Sequence, residues 1–319
     1  MADPLRRVVR ARVLRAVGAC ARFLPRSVAG AFLRCLAHAA RLTRFETAIK
    51  NNLERAMGST LSPSQRRKIA REVRLFSARL IEEWLFLARA SASGRSRAKV
   101  EAWIRSNVAF DRSCEPIFEA ARAGRGLLIA TAHLGNWELL ATALRLRGLD
   151  GAVVGLRKHR DPSSDWLVAM RAGLGVRTIP QDAPPREILG VLRSGATLGI
   201  LCDLEVRRLA GMHVPFFGIE ALTQTAPAAL SRASRLPIHP VRIVARGRGY
   251  LILAEEALKA DASLAREAAT ADVLRRLNAV YERWIREDPS QWAWHQPRWR
   301  TGPGEREAPP LHSRRGAAE

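Results

Sequence analysis

The stretch LLIATAHLGNWELLATAL, residues 127–144, sets a histidine and a carboxylate, His133 and Glu138, where an apolar run passes into an amphipathic helix. A histidine with a carboxylate partner can take a proton from an alcohol, the carboxylate holding the tautomer and stabilising the imidazolium that forms. The alcohol is then the nucleophile, and no serine or cysteine of the protein is required. Asn136 is a fitting N-cap for the helix that follows, and Glu138 in its first turn meets the positive end of the helix dipole. A solvated loop histidine beside a helix-capping glutamate has the same spacing, and one H-x4-E leaves the two readings open.

Attack on an acyl carbonyl builds negative charge on its oxygen, so donors must converge near such a histidine. The amides at the start of the helix after Asn136 qualify, and Arg157 and Arg171 are candidate cations. Asp203 and Glu205 follow the apolar run ATLGILCD and suit an acceptor headgroup, an arginine or His133 itself. Equally, they suit two loop acids satisfying nearby basic side chains. HVPFFG fits an acyl-chain contact or core packing, and His213 before it reads as a surface histidine. Trp292, Trp294 and Trp299 fit a membrane interface, where indoles are favoured, or packing against N-terminal helices. Cys20, Cys35, Cys114 and Cys202 form no CxxC pair and have no zinc spacing, so no metal and no cofactor is expected.

Open α/β sheets gather ligands beyond the carboxyl ends of their strands, so residues of this kind call for such a sheet beneath them. Short apolar runs separated by helix-length segments supply it after residue 110: strands are expected at 126–132, 151–157, 176–180, 196–203, 238–245 and 250–256. Helices are expected at 136–148, 163–173, 184–194, 224–235 and 267–287. The fold class is therefore α/β, a mixed, mostly parallel sheet flanked by helices. A helical N-terminal region precedes it, with helices near 27–42 and 44–57 and a long one opened by Ser62 and Pro63 as N-cap and first-turn proline. The segment ASASGRSRAK reads as a break, which divides the chain into residues 1–92, 93–300 and a tail, 301–319, rich in Gly, Pro, Arg and Glu and expected to be disordered.

The chain has 53 Lys and Arg against 30 Asp and Glu, a net +23 over 319 residues. That field draws polyanions: an anionic membrane, an acidic carrier protein or nucleic acid. Residues 1–60 hold twelve Lys or Arg and three acids. Within them Leu5, Val8, Val9, Val13, Ala16, Val17 and Cys20 recur at helical spacing with Arg6, Arg7, Arg10 and Arg15 mostly opposite, as in a helix lying in a bilayer interface or docked on the core. No stretch is long and apolar enough to span a membrane, and arginines interrupt every run that could serve as a signal-peptide core. A nucleic-acid binder would show a zinc-finger, ribonucleoprotein-type or helix-turn-helix signature and more concentrated basic residues. A metal-assisted hydrolase would use His133, Glu138, Asp203 and Glu205 as ligands.

Four blocks in order carry a family resemblance. HLGNWE resembles the HxxxxD/E block of the lysophospholipid acyltransferase superfamily, and in particular the lipid A biosynthesis (lauroyl/myristoyl) acyltransferases. ETAIKNNLERAMGSTLSPSQRRKIAREV, CDLEVRRLAGMHVPFFGIEALTQTAPAALSRASRLPIHPV and YERWIREDPSQWAWHQPRWR are similar to the blocks that precede and follow it in that family. The resemblance implies a glycerolipid acyltransferase-like fold and an O-acyltransferase. The reaction it implies moves a fatty acyl group from an acyl thioester, on acyl carrier protein or coenzyme A, to a hydroxyl of a membrane glycolipid such as a lipid A precursor. It assigns catalysis to His133 as general base with Glu138 as its partner, and family members also carry an arginine in the helix of Arg171, while Asn136, Arg157, Asp203 and Glu205 stay supporting candidates on the residue reading above. Peripheral association with the cytoplasmic face of the inner membrane is expected with it, and the missing signatures leave no nucleic-acid partner expected. The last block lacks the basic pair common before its final aromatic, and the second acid after Asp203 is Glu205. A sibling activity, such as acylation of phosphatidylinositol mannosides, stays open.

Overall fold

The computed structural model describes residues 25–155, 162–206, 209–261 and 263–304. The basic helix expected at 5–20, Arg157 and most of the tail lie outside them.

Three helices open the described chain: α1 (Arg26–Ala39), α2 (Arg44–Met57) and α3 (Pro63–Leu87). The start of α3 is as the sequence suggests: Ser62 Oγ accepts from the Gln65 amide, the Gln65 side chain returns the bond to the Ser62 amide, and Pro63 fills the first turn. The break expected at ASASGRSRAK falls between α3 and a further helix, which starts within the segment. Ser93 caps α4 (Gly94–Asn107), accepting from the Ser96 amide, and Val100 and Ile104 are buried. Serine and glycine that look like a linker are here an N-cap and its first turn.

The sheet has seven strands in the order β1-β9-β8-β2-β5-β3-β4. They are β1 (Val108–Phe110), β2 (Leu127–Thr131), β3 (Gly151–Gly155), β4 (Arg177–Pro180), β5 (Thr197–Leu201), β8 (Ile238–Arg246) and β9 (Gly249–Ala254). The five strands β8, β2, β5, β3 and β4 run parallel, while β9 returns antiparallel to β8 and carries β1 parallel to itself. The architecture is α/β, as expected. Helices α5 (Glu115–Arg122), α6 (Trp137–Leu146), α7 (Pro162–Gly173), α8 (Pro185–Arg193), α9 (Ala226–Ser234) and α10 (Arg266–Glu287) complete it.

Successive residues of β2 serve opposite faces. Leu128 and Ala130 join a core that contains Ile49, Leu53 and Met57 of α2, Ile69 and Val73 of α3, and Trp284 of α10. Leu127 and Ile129 join a second core with Val100, Ile104, Leu139 and Met170. Of the three N-terminal helices, α2 and α3 thus share a core with the sheet, while Leu33 and Ala37 of α1 pack on Ala78 of α3.

Three strands were not foreseen, β1 and two where the sequence reads as an apolar loop. β6 (Gly211–Phe216) and β7 (Ile219–Gln224) form an antiparallel hairpin. Its two-residue turn, Phe217 and Gly218, has positive φ at both positions, 54° and 72°, which matches the twist of paired strands. A phenylalanine pays for that conformation, and its amide donates to Glu282 Oε1 at 2.7 Å, tying the turn to α10. Val214 and Phe216 of this hairpin are buried, so packing, one of the two readings of HVPFFG, is what they do. His213 is half-buried, with Nε2 3.2 Å from the Thr301 carbonyl.

Candidate active site

β2 delivers the chain to a sharp turn at the carboxyl edge of the sheet, and the C-terminal run holds that turn in place. The Ala293 amide donates to the His133 carbonyl and the Gly135 amide to the Gln291 carbonyl, each at 3.0 Å. Gly135 has φ +66°, and a Cβ there would run into the Ile243 carbonyl of β8. Only glycine fits both constraints.

Asn136 caps α6 as expected, its Oδ1 accepting from the Leu139 amide at 3.1 Å. The cap is itself buried and fastened: Trp84 Nε1 donates to Oδ1 at 3.0 Å and Nδ2 donates to Glu83 Oε2 at 2.7 Å. Glu83 also accepts from the Tyr250 hydroxyl at 2.5 Å and pairs with Arg79 at 2.8 Å. Both polar atoms of the Asn136 side chain are used, so the helix start is positioned from α3 and β9 as well as from its own sequence.

The imidazole of His133 finds its carboxylate in Asp203, just past β5. Nδ1 lies 2.8 Å from Asp203 Oδ1, and the His133 backbone amide donates to Oδ2 at 2.8 Å. Trp292 Nε1 donates to the same oxygen at 2.7 Å. Complete burial works to raise the Asp203 carboxyl, but the charge of His133 and the hydrogen bonds from its ring, Trp292 and its own amide outweigh it, leaving the carboxyl below its ordinary value. Asp203 is therefore an anion, Nδ1 is the donor to it, and in the neutral form of the ring the lone pair sits on Nε2. Nε2 has no hydrogen-bond partner among the described residues. The ring stands edge-on to Trp137, centroids 4.9 Å apart, and Trp137 stands edge-on to Trp84 at 5.2 Å.

The expectation that Glu138 folds back onto the imidazole is corrected. Glu138 binds Arg171 of α7 through two parallel bonds, Nε to Oε2 at 2.7 Å and Nη2 to Oε1 at 2.5 Å. Both are largely buried. A guanidinium fork offers a buried carboxylate a full charge and two parallel donors, where an imidazole offers one donor. Burial works against the Arg171 charge, yet Glu138 more than offsets it and holds the guanidinium above its ordinary pKa. Arg171 also flanks the end of β3, for a Cβ on Gly155 would lie 2.9 Å from its Nη1. One edge of the sheet thus carries His133–Asp203 on β2 and β5 and Glu138–Arg171 beside β3.

Glu205 binds neither of these pairs. It accepts from the Arg300 and Thr301 amides at 2.7 and 3.1 Å and from the Thr301 hydroxyl at 2.7 Å, stapling the end of the C-terminal run. Among the described residues no group of three or more His, Cys, Asp or Glu is disposed to hold a metal ion.

Sequence reasoning missed the part played by this run. Trp292, Trp294 and Trp299 are buried, which agrees with packing against the N-terminal helices and not with a membrane interface. Asn52 Nδ2 donates to the carbonyls of Trp294 and Gln296, and Arg55 to that of Trp299. Gln291 accepts from the Ala245 amide at 2.8 Å, and its own carbonyl anchors Gly135. His295 was not singled out either. Burial, and then the nearby His133 charge, push its imidazole down to about 4, so it is neutral near pH 7. The signal that could have found these residues was the joint presence of the N-N-L-E-R-A-M and Q-W-A-W blocks, which meet here.

A family model described as bacterial lipid A biosynthesis acyltransferase matches residues 6–301. Among curated proteins, the phosphatidylinositol mannoside acyltransferase of Mycobacterium tuberculosis (strain ATCC 25618 / H37Rv) is 26% identical over 202 residues, 61% of this chain and 61% of that protein. The protein of the same name from Mycolicibacterium smegmatis is 25% identical over 190 residues, 57% of this chain and 60% of its own length. Each match thus spans less than two thirds of the relative.

Proposed function

The chain belongs to the bacterial lipid A biosynthesis acyltransferase family, and from that premise we propose that it is an O-acyltransferase moving a fatty acyl group from a thioester of acyl carrier protein or coenzyme A to a hydroxyl of a membrane glycolipid. The observation that carries this reading is the imidazole held through Nδ1 by a buried carboxylate, with Nε2 left free at the sheet's carboxyl edge. Nε2 takes the proton of the acceptor hydroxyl as its oxygen attacks the thioester carbon. The tetrahedral oxyanion collapses, the carbon–sulfur bond breaks, and the imidazolium returns the proton to the leaving thiolate. No covalent acyl-enzyme forms. Asp203 stabilises the imidazolium in the interval.

Glu138 in this reading is a positioning residue: it holds the Arg171 guanidinium at the edge where the oxyanion develops and where acceptor phosphates or hydroxyls would be met. A lipid A precursor is the acceptor the family description suggests. The names of the mycobacterial relatives favour a mannosylated phosphatidylinositol as the second reading. Among the described residues no helix is long and apolar enough to cross a membrane, and we place the protein peripherally at the cytoplasmic face of the inner membrane.

Mass spectrometry of membrane lipids from cells with the protein, without it, and with His133→Ala tests the proposal. One glycolipid species should lose a single acyl chain both in the deletion and in the variant. Identical lipid profiles in all three would sink it. The mass of the affected headgroup separates the two acceptors, and purified protein offered palmitoyl-coenzyme A or palmitoyl-acyl carrier protein separates the donors.

A further inference from the structure

The side of α1 turned away from the protein is apolar along its whole length. Val28, Ala31, Phe32, Cys35, Leu36 and Ala39 follow one another at helical spacing there, and all are exposed. Val28, Phe32 and Leu36 are 49%, 55% and 49% exposed, and Leu42, just past the helix, 84%. Only two other large apolar side chains among the described residues are exposed, Ile81 and Leu264, so four of the six sit on this one segment. The opposite side of α1, with Ala29, Leu33 and Ala37, is already buried. A helix apolar on both sides is expected to be covered on both.

The charge around this face indicates what covers it. Residues 25–45 contain Arg26, Arg34, Arg41 and Arg44 and no acid; the first is Glu46, which pairs inward with Arg74 and Lys50. Arg34, Arg41 and Arg44 are exposed, and none has a carboxylate partner among the described residues. A second copy docking on this face by two-fold symmetry would set arginines against arginines with nothing to neutralise them. Residues 1–24 carry six arginines against Asp3 alone and would meet the same repulsion. An apolar strip on a segment that carries arginines and no acid matches the acyl–headgroup boundary of an anionic bilayer, where both parts of the surface are satisfied at once.

We infer that α1 and the turn after it form the membrane-contacting surface of this protein, lying in the interface of an anionic phospholipid bilayer with Val28, Phe32, Leu36 and Leu42 in the acyl region and Arg34, Arg41 and Arg44 among lipid phosphates. The inference rests on the proposed membrane acceptor only in its choice of partner. It moves the contact from the tryptophans of the C-terminal run, which are buried, to α1.

Cys35 lies on the face, while Cys114 and Cys202 are buried, so a Cys20→Ser protein can be labelled at Cys35 with an environment-sensitive fluorophore. Vesicles of phosphatidylglycerol in phosphatidylcholine should shift its emission to the blue and carry the protein upward in flotation, more weakly as salt rises, whereas pure phosphatidylcholine should do much less. Phe32→Glu with Leu36→Glu should cut partition about tenfold or more with a little-changed melting midpoint, since about half of each residue is already in water. Unchanged partition of the double variant would overturn the inference, as would an absent shift with phosphatidylglycerol. So would a wild-type dimer in light scattering that the double variant dissolves while vesicle binding persists. Partition is read without turnover, so its failure leaves the acyltransferase reading standing, and the reverse also holds.

Discussion

At the residue scale the chemistry divides between two carboxylates. Asp203 touches His133 and Glu138 touches Arg171, so their conservative variants should behave differently. Asp203→Asn keeps the shape but offers the ring a weaker, uncharged partner that can favour the wrong tautomer; acyl transfer at saturating donor should fall about 10²- to 10⁴-fold with KM little changed. Arg171→Ala leaves the Glu138 carboxylate buried and alone, and should cost about 3–5 kcal/mol of stability in urea unfolding. Pairing it with Glu138→Gln should recover much of that loss but not the rate. Equal stability of Arg171→Ala and wild type would show that water reaches Glu138 freely. Asp203 also sets an acid dependence. Its carboxyl lies below its ordinary value of 3.8 in the folded protein, so the stability it gives is present above that value and is lost as pH falls toward and through the lower, folded one. Acid titration of the unfolding free energy should therefore be shallower below about pH 4 in Asp203→Asn than in wild type.

At the element scale the site depends on a turn that no single element specifies. β2 and α6 were legible from an apolar run followed by an N-cap, and Asn136 does what its position suggests. Asp203 was legible as a ligand-edge residue with His133 among the partners that suit it, but the choice among them was not, because parallel pairing puts β2 beside β5 across some 70 residues of chain. Glu138 was close in sequence and seemed the natural partner; a bidentate cation from α7 outcompetes a ring nitrogen for a buried carboxylate. The turn itself is the weak point. Gly135→Ala combines a left-handed backbone with a clash at the Ile243 carbonyl, so a loss of at least about 2 kcal/mol is expected, with activity falling as His133 moves. Denaturant midpoint and turnover measured together check it: an active, stable Gly135→Ala would show that the turn relaxes. The hairpin β6–β7 and helix α4 went unread for a related reason, since their signals, Phe217–Gly218 and Ser93–Gly94, are turn and cap residues that look like loop until pairing is known.

At the scale of the whole molecule, α2 and α3 share a core with the sheet and hold the C-terminal run through Asn52 and Arg55. We expect residues 25–304 to fold as one unit, and a chain starting at residue 93 to lose its near-ultraviolet dichroism and be cut rapidly by protease at concentrations that leave the full chain intact. A cooperative transition in that fragment would contradict this. Composition and periodicity were enough to determine the α/β class, the order of most strands and helices, the basic excess and the placing of His133 at a sheet edge, because each depends on local spacing or on sums over the chain. Four ordered blocks were enough to indicate the family. What only the tertiary structure decided is which acid meets the imidazole, that Glu205 and three tryptophans brace the site instead of facing substrate or membrane, and that α1 is left with an uncovered apolar side. Those outcomes turn on burial and on partners brought from distant segments, which local sequence does not encode.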